Sequence, residues 1–302
     1  MNSSAEPAPA TARAAAPVVT RFAPSPTGFL HLGHAWSAML SARLARRHGG
    51  QWLLRIEDID STRCRPEFID SIHADLDWLG LTPDQPPLLQ SARRHDHAEA
   101  LRKLTDLGVT YPCFCTRHDI ATAASAPHGM TAAYPGTCRR LEPVLAARRA
   151  EREPHAIRLD VARALALTGP LHWLEGTVAQ PADARRAGDV VLARKDIGIG
   201  YLLAAVVDDG FQQVTDVVRG HDLVDVTATQ RLLQALLGLP APLYHHHRLL
   251  LGADGKRLAK RDRAATLASL RTRGVDGRAL AQRLAELAPD GADICIGADF
   301  NG

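Results

Sequence analysis

Lysine is nearly missing from this chain. Among 36 basic side chains in 302 residues only Lys103, Lys195, Lys256 and Lys260 are lysine, and the last two stand four residues apart. Long apolar runs are missing too. The longest, Tyr201 to Val207, has about seven residues against the roughly 20 that cross a bilayer, which argues against a membrane helix. Cysteine is sparse and odd in number. Five residues, two of them in Cys113-Phe114-Cys115, make a poor disulfide framework and suit a reducing, cytoplasmic setting with a metal site. Residues 1–17 have no basic start and no apolar core, so they do not read as a secretory signal and are expected to form a disordered tail. A strong net charge is also absent, and +3 permits a polyanionic partner without requiring one.

What is present is ordinary for a globular protein: 46% hydrophobic and 23% charged residues, which exclude a wholly disordered, collagenous or coiled-coil chain. The length suits two domains or one elaborated domain with its own core. Val18 to Ala23 is β-prone and ends at Pro24-Ser25-Pro26-Thr27-Gly28, which continues neither strand nor helix. Trp36, Met39, Ala42 and Ala45 recur at helical spacing between about Leu30 and His48, before Gly49-Gly50. Gln51 to Ile56 is too continuously apolar for a half-exposed strand and reads as a buried parallel one, with Glu57 and Asp58 at its end. Phe68, Ile69, Ile72, Leu76 and Leu79 form a second helical stripe closed by Gly80. This order is the start of a doubly wound α/β domain.

From Tyr111 to Gly188 the alternation is lost, and an insertion carrying the cysteines is expected. The α/β character returns at Tyr201 to Asp209 and Val214 to Arg219, followed by a helix around Thr229 to Leu237. After Pro240-Ala241-Pro242 an irregular loop and then helix to about Ala288 are expected. The division is thus 1–17 tail, 18–110 first catalytic half, 111–188 insertion, 189–240 second half, and 241–302 basic loop with a helical C-terminal region.

Chemistry concentrates in a few places. His31-Leu32-Gly33-His34 opens the first helix after the Pro/Gly loop, so both imidazoles project from its first turn, where exposed N–H groups and the helix dipole favour phosphate. Taken alone, such a pair also arises by chance at an exposed helix start. Gly255-Lys256-Arg257-Leu258-Ala259-Lys260-Arg261 is a glycine-led basic loop holding half of the lysines; a lysine is a compact point charge suited to a triphosphate, and the competing reading is a solvated turn. Successive side chains of His245-His246-His247 do not converge on one ion, and one is expected near the adenine with two on the surface. Arg139, Arg140, Arg148, Arg149, Arg185 and Arg186 form a possible phosphate track but are expected as ordinary solvated charges.

Together, Arg21-Phe22-Ala23-Pro24-Ser25-Pro26-Thr27-Gly28, His31-Leu32-Gly33-His34, Arg55-Ile56-Glu57-Asp58, Val207-Asp208-Asp209, Val218-Arg219-Gly220 and the Lys260 loop resemble the catalytic core of class I glutamyl-tRNA synthetases over residues 18–265. Only about forty residues follow the loop, so no anticodon-binding domain is expected. That places the resemblance with the truncated glutamyl-queuosine tRNA(Asp) synthetases. It implies a Rossmann-type catalytic domain with a zinc-containing insertion. It further implies activation of L-glutamate with ATP and Mg²⁺, and transfer to the queuosine base of tRNA(Asp), with nothing demanding more than a monomer. The resemblance assigns Arg21, Phe22, Ala23, Pro24, Ser25, Glu57, Tyr201 and Arg219 to glutamate, and His31, Gly33, His34 and Lys260 to ATP, with His31, His34 and Lys260 as the catalytic groups. It assigns one structural zinc to Cys113, Cys115, Tyr134 and Cys138; on ligand chemistry alone tyrosine is outside the usual set, so His118 or His128 is an alternative fourth ligand and buried free thiols are the competing reading. Ala259 replaces a serine of the family pattern; one neutral hydrogen bond is worth about 0.5–1.5 kcal/mol, so activity is expected to survive. Another acceptor, or an inactive tRNA-binding paralogue, are the competing readings.

Overall fold

The computed structural model describes residues 17–116, 119, 134–196, 198–250 and 265–287. The tail up to residue 16, His118, His128, Cys295 and the whole Lys256 to Lys260 stretch lie outside the described residues.

The first half follows the expected alternation. Strand β1 (Val19–Phe22) leads through the Pro/Gly loop to helix α1 (Leu32–Arg47), then β2 (Gln51–Ile56), α2 (Pro66–Leu79) and the short β3 (Leu88–Leu89). All four β1 residues and all but Gln51 of β2 are buried, as a parallel strand covered on both faces must be. Gly80 ends α2 in the left-handed conformation, φ 74°. A 3₁₀ turn (Gln90–Arg93) enters α3 (Arg94–Asp106).

The middle of the chain supplies β4 (Thr110–Cys113), a 3₁₀ turn at Cys138–Arg140, α4 (Pro143–Ala150), β5 (Ala156–Leu159), α5 (Val161–Thr168), β6 (His172–Glu175), β7 (Val178–Pro181), β8 (Val191–Arg194) and β9 (Gly198–Ile199). An antiparallel sheet of order β4-β5-β8-β9 runs past Gly188 to Ile199, whereas the β6–β7 hairpin belongs to a different sheet.

Helix α6 (Tyr201–Phe211) takes up the longest apolar run. Strand β10 (Asp216–Gly220) and helix α7 (Val224–Leu237) follow, then β11 (Leu243–His247), α8 (Leu267–Thr272) and α9 (Gly277–Leu287). The loop expected after Pro242 is in fact a strand. Polar histidines carry no strand signal, but Tyr244 is 1% exposed and β11 lies parallel between β10 and β6. Two parallel ladders, β1-β2-β3 and β10-β11-β6 with β7 at its edge, meet at β1 and β10, where the Thr215 N–H donates to Val19 O at 2.9 Å.

The core under α1 joins both ends of the chain. Trp36, Trp52, Ile56 and Ile72 pack with Leu267, Leu270, Leu280 and Leu284 of α8 and α9, each such burial contributing about 1.5–3 kcal/mol. A second core lies among α3, α5, α6 and α7.

Candidate active site

Arg21 stands opposite Leu53 in the parallel register, so with side chains alternating along a strand Arg21, Arg55 and Glu57 lie on one side of the sheet. Asp209, from α6, closes on them. Its Oδ1 accepts from Arg21 Nε at 2.9 Å and from Arg55 NH1 at 2.6 Å, while Arg55 NH2 reaches Glu57 Oε1 at 3.2 Å. Burial opposes ionisation of Asp209, but the two guanidinium groups outweigh it and hold its carboxyl down at about 2. For Glu57 the balance is reversed: burial pushes its carboxyl above the ordinary range despite the pull of Arg55 and Arg21. The Glu57 N–H donates to Pro24 O at 3.0 Å, which ties the Pro/Gly loop to the end of β2.

Arg219, on β10, is 5% exposed and differently partnered. It donates from Nε to His246 Nε2 at 3.0 Å, from NH1 to Gln230 Oε1 at 2.7 Å and from NH2 to Thr227 Oγ1 at 2.7 Å. All three acceptors are uncharged, and among the described residues no carboxylate forms an ion pair with it. A guanidinium has five N–H donors, so two remain for a ligand.

A cleft of about 250 Å³ opens beside this cluster, with Ser25, Glu57 and Tyr201 in its wall together with Asp60, Arg63 and Arg194. Tyr201 is 36% exposed, whereas Phe22 is 6% exposed and packs in the core instead of facing the cleft; Pro24 is also buried.

At the mouth of α1 the two histidine rings lie against each other, centroids 3.8 Å apart and planes tilted by 36°. His31 Nδ1 accepts from the Gly33 N–H and His34 Nδ1 from the His31 N–H, both at 3.1 Å, so each Nδ1 lone pair is used and Nε2 carries the ring proton. The rings thus cap the helix and present N–H donors beside its positive end. A Cβ at Gly33 would lie 3.0 Å from His31 Cε1, which explains the glycine between them. The chain beyond the basic loop returns to this place: the Leu267 N–H donates to Leu30 O at 2.8 Å, and Thr266 bridges to His31.

Residues 17–287 match the family of class I tRNA synthetases (E and Q), catalytic domain. The glutamyl-Q tRNA(Asp) synthetase of Rhodobacter capsulatus is 45% identical over 270 residues, covering 85% of this chain and 96% of that protein. The chain belongs to the glutamyl-Q tRNA(Asp) synthetases of class I. The protein of that name from Symbiobacterium thermophilum is 44% identical over 284 residues, covering 88% and 85%. A glutamate tRNA ligase from Elizabethkingia meningosepticum, solved with its amino acid, superposes with a TM-score of 0.75 at 26% identity. This chain is covered to 92% there and spans 62% of that ligase.

The expected metal residues come together as well. The Sγ atoms of Cys113, Cys115 and Cys138 lie within 4.8 Å of one another and can hold a metal ion. Cys115 and Cys138 are 3.5 Å apart, and Tyr134 Oη is 3.4 Å from Cys113 and 3.6 Å from Cys115. A tetrahedral ion about 2.3 Å from sulfur and about 2.0 Å from oxygen sets S···S at about 3.7 Å and S···O at about 3.5 Å, which these three separations match. The Cys138 N–H donates to the same phenolic oxygen at 2.8 Å and orients it, while burial and the hydrogen bonds to the neighbouring thiols hold the phenol above its usual range, so a metal would have to displace its proton.

Several residues escaped the sequence reading. Asp209 and Arg55 sit within recognised motifs but had no role; an arginine inside a buried strand was itself the sign of a buried carboxylate. Asp208 gathers Gln90, Arg93 and His97 at 2.9, 2.7 and 2.9 Å, which places Gln90 in the cleft wall. The histidine triplet needs correcting: none of the three is fully exposed. His245 pairs with Asp216 at 2.9 Å, His246 is 1% exposed in its side chain, and His247 is buried against Ser37. Of the arginine track, Arg139 pairs with Asp189, Arg149 with Glu153 and Arg185 with Asp183.

Proposed function

We propose that this chain activates L-glutamate with ATP and transfers the glutamyl group to the queuosine base in the anticodon of tRNA(Asp). The names of its relatives support the acceptor. The observation that carries the amino acid is Arg219, a buried cation whose hydrogen-bond partners among the described residues are neutral, within electrostatic reach of Tyr201 and Arg21, with Glu57 in turn close to Tyr201. A buried cation with no carboxylate paired to it among the described residues calls for an anionic ligand.

In this reading Arg21 and Arg219 take carboxylate groups, with the 21–25 segment and Tyr201 around them, and Glu57 holds the α-ammonium. A carboxylate binds where cations outnumber anions: Arg21, Arg55 and Arg219 against Asp209 and Glu57. An α-carboxylate oxygen attacks the α-phosphorus, its new P–O bond replacing the bond to pyrophosphate, which leaves. His31 and His34 offer Nε2–H donors to the phosphates over the Gly33 backbone, and Lys260 completes the clamp. Magnesium enters with ATP as part of that substrate. The acceptor then attacks the acyl carbon and AMP departs. No protein nucleophile is required, since positioning and charge stabilisation supply the rate.

Cys113, Cys115, Tyr134 and Cys138 hold zinc in this reading, and the ion acts as a structural cross-link between β4 and the following 3₁₀ turn. A cytoplasmic site of action belongs to the same reading.

The test has two stages. Purified protein is expected to exchange labelled pyrophosphate into ATP with glutamate alone, and to label tRNA(Asp) that contains queuosine. Exchange without labelling, or labelling of tRNA lacking queuosine, would sink the assigned acceptor.

A further inference from the structure

Arg219 is fixed by a histidine that is itself fixed by a carboxylate. Arg219 and His246 are direct partners in the β10–β11 register, and β11 lies in turn beside β6, with Tyr244 opposite Glu175. The Arg219 Nε–H can only donate, so His246 Nε2 is the acceptor at 3.0 Å. The ring proton is therefore on Nδ1, which faces Glu175 Oε2 at 2.6 Å. The other oxygen of Glu175 accepts the His246 backbone N–H at 2.7 Å, so one carboxylate grips the residue twice. Aromatic rings lock the imidazole in place: Tyr244 is parallel to it at 5.9 Å, and Trp173 and His221 meet it edge-on at 5.5 and 6.5 Å. Burial and the Arg219 charge hold this imidazole at about 4 against the opposing pull of Glu175, so the ring is uncharged at neutral pH.

We infer that His246 and Glu175 are positioning residues for glutamate recognition: a neutral imidazole transmits the orienting grip of Glu175 to Arg219 while keeping the carboxylate itself off the guanidinium. Arg21 and Arg55 show the contrast. Both share the single carboxylate of Asp209, and Arg55 pairs with Glu57 as well, whereas Arg219 is aimed through its Nε by a neutral ring and has no carboxylate partner among the described residues. A carboxylate at position 246 would hold the same rotamer and cancel the charge. The assignment rests on the reading of Arg219 as a substrate-carboxylate group.

The decisive comparison is His246→Gln against His246→Glu, which match in size and differ in charge. In glutamate-dependent pyrophosphate exchange, KM for glutamate is expected to rise about tenfold or more in His246→Glu and less than roughly threefold in His246→Gln, with KM for ATP moving little in either. Equal effects of the two substitutions, or a rise in KM for ATP in place of glutamate, overturn the inference, since a packing role is blind to the charge. A second measurement does not depend on the reaction: ¹⁵N NMR of the His246 ring at neutral pH. The neutral Nδ1–H tautomer is expected, and it should lose its preference in Glu175→Leu; an Nε2–H ring or an imidazolium overturns the relay. If wild-type protein shows no exchange with glutamate, the proposed function fails while the NMR result still decides whether the relay exists.

Discussion

Two buried arginines of one site predict different consequences of mutation. Arg219 has neutral hydrogen-bond partners, so Arg219→Met removes a buried charge that no carboxylate pairs with among the described residues. The desolvation of the charge is relieved, while His246 Nε2, Gln230 Oε1 and Thr227 Oγ1 lose a donor at about 1–3 kcal/mol each, so the two effects oppose each other. Thermal unfolding of this variant is expected close to the wild-type temperature, while kcat/KM for glutamate falls by roughly a hundredfold or more. Asp209→Asn strips Arg21 and Arg55 of their shared carboxylate and is expected to cost about 3–5 kcal/mol in denaturant unfolding. A stable Asp209→Asn protein would contradict this account of the cluster. Glu57 adds a pH dependence. Its carboxyl is raised by burial, and glutamate binding needs it ionised, so KM for glutamate should climb as pH falls through a value above the ordinary carboxylate range. Glu57→Gln should bind weakly at every pH and lose that acid limb in a pH profile of kcat/KM.

At the scale of the element, α1 depends on a glycine for its cap. Gly33→Ala gains helix propensity of up to about 1 kcal/mol, but the added methyl forces the His31 ring aside and forfeits a cap worth about 0.5–2 kcal/mol. The two effects nearly cancel in stability, whereas KM for ATP should rise, since the displaced ring no longer presents its Nε2. Unchanged KM for ATP would remove His31 from the phosphate site. The cysteine cluster ties the end of β4 to the 3₁₀ turn at Cys138–Arg140. Metal analysis is expected to find one zinc per chain, lost in Cys115→Ser and held more weakly in Tyr134→Phe. Full zinc affinity in Tyr134→Phe would point to another fourth ligand. The elements also show where sequence reading stops. The apolar stripes of α1 and α2 and the buried run of β2 were legible because periodicity and burial coincide. Strand β11 was not, because the consecutive His246 and His247 are buried against Trp173 and Glu175 on one side and Ser37 on the other, partners that only the fold supplies.

For the whole molecule, acid stability integrates the buried carboxylates. Asp209 has a folded value of about 2 against an ordinary value of 3.8, so its contribution is complete above the unfolded value and lost as pH falls through the folded one. The shift corresponds to about 2 kcal/mol. Asp208 is lowered as well and adds in the same direction, whereas Glu57 and Asp75 are raised and act against it. Unfolding temperature is expected to drop between about pH 4 and about pH 2, and more gently in Asp209→Asn, whose remaining side chain cannot titrate. Equal slopes in a calorimetric pH series would show that this carboxylate is not the one that counts.

The motifs, their order and the cysteine spacing were properties of the sequence itself, because each is a local requirement: a glycine where an imidazole folds back, thiols close enough to share an ion, a helix start where phosphate binds. The scarcity of lysine directed attention to Lys260 in the same way. Which charges cancel and which stay available was decided by the tertiary structure alone. Arg21, Arg55 and Arg219 are alike as residues; burial and their partners make the first two an ion cluster with Asp209 and give the third neutral partners, because electrostatic energy depends on distance and surroundings that the order of residues does not contain.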